Sequence, residues 1–309
     1  MRSVAGMRHR RIDMDGLAVF YREAGPADAP VLLLPHGYPC SSYQFRNLMP
    51  VLSDRWRTLA PDFPGCGYSD TPDDFAYDFD GYCDFLAHFV EELGINRYAL
   101  YLHDFGSQIG LRLAIRAPDR VSALIIQNGD IYEDALGPKY DLMRAHWRHP
   151  TREGHARIVE AVSEEGFREE FLNEVRPELA DLIAPDLWKL HWSLMTPCRR
   201  EIAVGVIEGL RENVAWFPRY QEYLRTHRPP TLIAWAPQDG YMPEKSARAY
   251  LRDLPNAELH LLDGGHWALE TNLGEIVALV RGFLARTEGL SEIPTNAQFG
   301  RTSPRQRGL

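Results

Sequence analysis

A carboxylate held where a strand turns at once into a helix can attack carbon. The stretch Tyr98–Gly110, Tyr-Ala-Leu-Tyr-Leu-His-Asp-Phe-Gly-Ser-Gln-Ile-Gly, offers one. Tyr98–Leu102 suits a buried strand, and a helical pattern follows with Ile109, Leu111, Leu113 and Ala114 as its apolar positions. Asp104 stands at the tip between them. This is the geometry of a nucleophile elbow, in which Gly106 lets the backbone pass close by and the next amide points into the site. An aspartate is ionised at neutral pH, so Asp104 needs no base to displace at an electrophilic sp³ carbon and form a covalent alkyl ester. Hydrolysing that ester needs a base to activate water, an acid to orient the base, and N–H donors for an oxyanion.

Two strand ends downstream each supply one candidate. Thr231–Trp235 runs into Ala236-Pro237-Gln238-Asp239-Gly240, and Glu258–Leu262 into Asp263-Gly264-Gly265-His266-Trp267. Asp239 is the candidate acid and His266 the candidate base, in the chain order nucleophile, acid, histidine. Both lie just past the carboxyl ends of strands, where open α/β sheets place their sites. The oxyanion amides are expected from Phe105 and from Tyr38 or its neighbour. Each residue also has an ordinary reading. Asp104 alone is an N-cap, Asp239-Gly240 alone a turn, His266 alone a surface-loop residue. Their order along the chain is what points to chemistry. Cys66 follows no strand, and His103 reads as an orienting or packed residue.

The elements that must position these groups alternate. Arg8–Met14 and Leu17–Arg22 flank Asp15-Gly16, a hairpin signal. Val31–Leu34 is a short apolar run suited to burial on both faces, and it ends in the loop His36-Gly37-Tyr38-Pro39. A helix is expected over Ser41–Leu52, a strand over Thr58–Ala60, a helix over Phe79–Leu93, a helix over Ser107–Arg116 and a strand over Ala123–Gln127. From about Gly129 to Arg228 no strand is expected, only aromatic-rich helical segments. The strand Thr231–Trp235, a helix Glu244–Arg252, the strand Glu258–Leu262 and a helix Leu273–Ala285 complete the core. This is an α/β fold with a mostly parallel sheet covered on both faces and an antiparallel hairpin at one edge. The expected division is residues 1–128 as the first part of the core, 129–228 as a helical insertion, 229–287 as the second part, and 288–309 as a disordered tail.

Composition narrows the function. The chain has 309 residues with 34 Lys+Arg against 43 Asp+Glu, a net charge of −9, which argues against a nucleic-acid partner. No apolar run approaches a membrane span, the N-terminus lacks a signal-peptide core, and four scattered cysteines carry no metal spacing. A cytoplasmic protein with reduced thiols is expected, as monomer or homodimer.

Four motifs carry a family resemblance: His-Gly-x-Pro at 36–39, Asp-x-Pro-Gly-x-Gly-x-Ser-Asp at 62–70, His-Asp-aromatic-Gly at 103–106, and Gly-His-Trp at 265–267. Over about residues 8–287 the chain resembles α/β hydrolases, and within them the branch of epoxide hydrolases and haloalkane dehalogenases, with the insertion as a cap. The resemblance implies two tests of the electrophile. Haloalkane dehalogenases hold the halide with Trp directly after the nucleophile and a second N–H donor, often Asn, in the His-Gly-x-Pro loop; here these are Phe105 and Tyr38, without side-chain N–H groups. Fluoroacetate-type enzymes carry Arg where Phe105 stands. Asn128 occupies the position where some dehalogenases carry the acid, which leaves Asp239. Epoxide hydrolases use two cap tyrosines on the ring oxygen; Tyr140 lies near the first position, and Leu210 stands where the second is sought. The expected reaction is therefore epoxide hydrolysis to a vicinal diol. The alternatives are dehalogenation, a non-hydrolytic biosynthetic reaction, or a ligand-binding module on the same scaffold. Tyr140, Trp147, His36 and Trp267 are the candidate substrate contacts, and the aromatic cap suggests an apolar or aromatic small molecule. No metal or organic cofactor is implied, since both half-reactions use only the carboxylate, the His-Asp pair and water.

Overall fold

The computed structural model describes residues 6–172 and 175–291. Among them eight strands form one sheet: β1 Arg8–Met14, β2 Leu17–Ala24, β3 Val31–Leu33, β4 Arg57–Pro61, β5 Tyr98–His103, β6 Val121–Gln127, β7 Thr231–Trp235 and β8 Glu258–Leu261. Their order is β1-β2-β4-β3-β5-β6-β7-β8. The hairpin β1–β2 turns at Asp15-Gly16, both at positive φ, and β2 pairs antiparallel with β4. All other pairings are parallel.

The helices of the first half are α1 Leu48–Leu52, α2 Phe79–Glu92 and α3 Phe105–Arg116. Between β6 and β7 come α4 Tyr140–Arg148, α5 Arg152–Ala161, α6 Glu164–Leu172, α7 Pro177–Ala180, α8 Asp186–Ser193, α9 Pro197–Glu208, α10 Leu210–Val214 and α11 Phe217–His227. After β7 follow α12 Glu244–Ala249, α13 Ala268–Thr271 and α14 Leu273–Ser291. Every residue of β5 is buried, and its side chains divide by the period of two. Tyr98, Leu100 and Leu102 pack with Phe85 and Phe89 of α2 and Ile109 of α3. Ala99 and Tyr101 pack on the other face with Leu52 of α1 and Val280 of α14. Among the described residues, no helix is long and apolar enough to cross a membrane.

Two expectations need correction. The helix expected over Ser41–Leu52 is divided into a 3₁₀ turn, Ser42–Phe45, and α1. Pro50 has no N–H and its ring would meet the carbonyl of residue 46, so the helix restarts at Leu48 with Pro50 inside its first turn. At the other end, α14 runs past Ala285 to Ser291, so residues 288–291 are helical rather than part of a disordered tail. Apolar periodicity fades after Ala285, but the first residue that forbids a helix is Pro294. The rest of the expected tail lies outside the described residues.

The elbow is tightly built. Asp104 has φ 50 and ψ −134, a conformation that costs on the order of 1–3 kcal/mol for a residue with a side chain. Its N–H donates to the Asn128 carbonyl, 3.1 Å away at the end of β6, where Asn128 also has positive φ. A Cβ on Gly106 would lie 2.2 Å from the Pro35 carbonyl oxygen, a backbone atom that no rotamer change can move. Gly106→Ala is therefore expected to lower stability by about 1–3 kcal/mol, read as an earlier urea midpoint with an unchanged slope. A midpoint equal to the parent's would contradict this packing.

Candidate active site

Four neighbouring parallel strands deliver the expected residues to one edge of the sheet. Asp104 follows β5, Asn128 follows β6, Asp239 follows β7 and His266 follows β8. The loop after β3 arrives beside them. The Tyr38 amide donates to Asp104 Oδ1 at 2.6 Å, and the Phe105 amide helps hold the carboxylate's charge. A Cβ on Gly37 would stand 2.6 Å from that same Oδ1, so only a glycine lets this loop approach so closely.

His266 Nδ1 donates to Asp239 Oδ2 at 2.7 Å. Asp239 Oδ2 also accepts from Asn128 Nδ2 at 2.8 Å, while its Oδ1 accepts from the amides of Tyr241 and Met242, each at 2.9 Å. The Asp239 carboxylate is thereby fixed from both sides, and the Nδ1–H of His266 with it. His266 Nε2 faces Asp104 Oδ2 at 3.6 Å and has no hydrogen-bond partner among the described residues. Burial alone would push both carboxyls up and the imidazole down. The charges overcome burial: His266 holds Asp104 and Asp239 below the usual carboxylate range, and the two carboxylates, Asp239 foremost, hold His266 well above an ordinary histidine.

His103 holds the backbone of His266. Burial lowers its pKa to about 3, so the ring is neutral; Nε2–H donates to the His266 carbonyl at 2.9 Å, and Nδ1 accepts from Gln44 Nε2 at 2.8 Å.

Asp104, Tyr38 and Phe105 open onto a cavity of about 560 Å³, walled on the far side by helices of the insertion. Tyr140 and Leu210 are in its wall, the second at the position where the resemblance seeks a tyrosine. Tyr241 is there too, 5.2 Å from the Tyr140 ring. The other three candidate contacts lie elsewhere. Trp147 packs behind Tyr140, with ring centroids 6.2 Å apart, and is not part of the wall. Trp267 is wedged between His103, His266 and Phe171, and its Nε1 donates to the Glu170 carbonyl. His36 lines a smaller neighbouring cavity of about 70 Å³, where it accepts from the Phe63 amide and donates to the Gly37 carbonyl. Burial lowers its pKa to about 4, which suits a neutral clamp between two loops.

Sequence reasoning missed three residues that stand beside these groups. Tyr241 was hidden as a turn residue after Asp239. Asp130, three residues past β6, is buried with Oδ1 accepting from Gln108 Nε2 at 3.0 Å, and burial raises its pKa to about 7 beside Tyr140. Glu170 lines the larger cavity from α6, and only its spacing from Phe167 could have signalled that.

The sequence matches the alpha/beta hydrolase fold family over residues 30–273. The chain belongs to that family. Among characterised and uncharacterised members, it is 30% identical to an uncharacterized hydrolase of Saccharomyces cerevisiae, covering 88% of this chain and 95% of the yeast protein. It is 29% identical to a cis-3-alkyl-4-alkyloxetan-2-one decarboxylase of Xanthomonas campestris, covering 90% and 96%. Its fold superposes on the crystal structure of an ancestral haloalkane dehalogenase with a TM-score of 0.77 at 26% identity, over 91% of this chain and 99% of that one. This α/β hydrolase is thus of the haloalkane dehalogenase type in fold, and the residue after its elbow aspartate is Phe105.

Proposed function

We propose that this hydrolase opens a strained oxygen ring, an epoxide, with Asp104 as nucleophile, and hydrolyses the resulting ester to release a vicinal diol. One observation carries the choice of electrophile. The cavity over Asp104 is lined by Tyr140 and Tyr241, while Phe105 and Tyr38 bring no side-chain N–H to hold a halide.

The chemistry runs in two halves. Asp104 Oδ1 stays with the Tyr38 amide while Oδ2, on the His266 side, attacks a ring carbon. Forming the ester removes the negative charge of Asp104. That charge is part of what keeps His266 protonated, so its loss lets His266 give up a proton, which balances the one gained by the opened ring oxygen, and become a base. His266 then takes a proton from water, and hydroxide adds to Cγ of Asp104. The amides of Tyr38 and Phe105 hold the oxyanion, each donor of this kind contributing ~3–4 kcal/mol.

The near full-length similarity to an oxetanone decarboxylase favours a second reading, in which the ring is a four-membered lactone. Incubation with an epoxide, a haloalkane and a cis-dialkyl oxetan-2-one separates these readings. Diol from the epoxide is expected. Halide from the haloalkane, or carbon dioxide from the lactone, with no diol would replace the epoxide reading; no product from any of the three would favour a binding module.

A further inference from the structure

We propose that Glu170, on a helix of the insertion, is the catalytic acid that protonates the ring oxygen as it opens. This rests on the ring-opening reading above. The geometry of α6 aims Glu170 at the site. Phe167, one turn earlier on the same face, packs edge-on against Tyr38 with ring centroids 5.8 Å apart. Phe171, the next residue, packs on Trp267 at 4.4 Å, and the Glu170 carbonyl accepts from Trp267 Nε1 at 3.0 Å. Between these two anchors the Glu170 side chain lines the same cavity as Asp104. Its carboxyl makes no hydrogen bond or ion pair with the described residues. Leu210, in the same wall, offers no proton where the resemblance seeks a tyrosine, so a donor is wanted there.

The charged and titratable groups around Glu170 suit the role. His266 and Lys139 act on it from the base loop and the start of α4, against Asp104 and Asp239 from the two strand ends. Tyr38 feels Glu170 in turn, and Tyr140 and Tyr241 share the cavity. On α5, Arg157 is paired with Glu153 at 2.7 Å; on α8, His191 is kept neutral by burial, at about 4. Burial raises Glu170 to about 7, where an acid is both populated and willing to give its proton.

The protons close. As Asp104 Oδ2 bonds to the ring carbon, the carbon–oxygen bond breaks with its electron pair on the ring oxygen, which takes the Glu170 proton. His266, no longer facing a charged Asp104, passes its proton to the Glu170 carboxylate. It then takes one proton from water as the water oxygen bonds to Cγ. The Cγ–O(alkyl) bond breaks with its pair on the product oxygen, which takes the hydroxyl proton left on Cγ. Asp104 ends ionised, His266 and Glu170 protonated, and epoxide plus water has become diol.

The test uses rapid-quench single turnovers of the full chain with styrene oxide, following alkylation of the Asp104 peptide by mass across a pH series. For the parent, the alkylation rate is expected to be flat below about 7 and to fall about tenfold per pH unit above it. Glu170→Gln should alkylate about 10²-fold more slowly, with unchanged substrate affinity and no fall at high pH; Glu170→Asp should keep a fall, moved to lower pH. A Gln variant that alkylates at the parent rate, or keeps the parent's alkaline fall, overturns the acid role while leaving the ring-opening reading intact. No alkylation of Asp104 in the parent overturns the reading itself, and the acid role with it.

Discussion

Replacing His266 with glutamine is expected to leave the protein alkylated and stalled. In the proposed mechanism Asp104 attacks as a carboxylate, so the first half-reaction survives loss of the base. The second does not, because His266 Nε2 is the nitrogen that faces Asp104, 3.6 Å from its Oδ2. His103 cannot substitute: both its ring nitrogens are engaged and burial keeps its pKa at about 3. The variant should consume about one equivalent of epoxide, gain the mass of the substrate on the peptide containing Asp104, and lose steady-state turnover by about 10³-fold or more. Steady-state turnover close to the parent's would remove His266 from the mechanism. So would a variant that turns over slowly but never accumulates ester under single-turnover conditions, since the base would then act before alkylation.

The larger loss is expected at Asp104→Asn. The amide preserves the shape of the side chain and tolerates the positive φ better than most residues, so the elbow should remain folded. It cannot attack carbon, and turnover should fall by about 10⁴-fold or more, with no covalent adduct at any substrate concentration. A second readout needs no substrate. Asp104 is one of the two carboxylates that hold His266 above its ordinary value near 6.5; without it Asp239 remains but burial opposes the charge more effectively. The sign follows: in the Asn variant His266 should lose its proton at a lower pH than in the parent, measured by NMR titration of the imidazole. An unchanged titration would mean that the two side chains do not share the site.

How much of this could be read from the sequence divides along physical lines. That Asp104, Asp239 and His266 would meet was legible because each lies just past a strand whose own pattern is strong, and parallel neighbours bring their carboxyl ends together. Thr231–Trp235 has the bounds expected of it, and a tip residue after so apolar a strand as β5 has few places to go. The Asp62 motif was legible as a signature, while its physical role emerges only in three dimensions: the buried carboxyl accepts from the amides of Ser42 and Tyr68, each at 2.8 Å, and fixes two loops beside the elbow. Boundaries were less legible where one residue overrides a pattern, as Pro50 does in the first helix. The insertion was the least legible part. Its helices carry aromatics on several faces, and which of them meets the core depends on how they pack, not on their spacing. Hence Trp147 lies outside the cavity wall while Leu210 and Glu170 line it. Arg199 shows the same dependence: it anchors α9 to the core through Thr71 Oγ1 and the carbonyls of Gly67 and Ser69, contacts across more than a hundred residues of chain that no local pattern announces.

The covalent mechanism stands or falls on whether water's oxygen enters Asp104 rather than the substrate. One turnover of styrene oxide in ¹⁸O-labelled water, followed by mass spectrometry of the peptide containing Asp104, measures this directly. Attack of hydroxide on Cγ predicts that the peptide gains the heavy oxygen and that the first diol released carries none. Label in the diol with none on Asp104 would contradict the covalent mechanism.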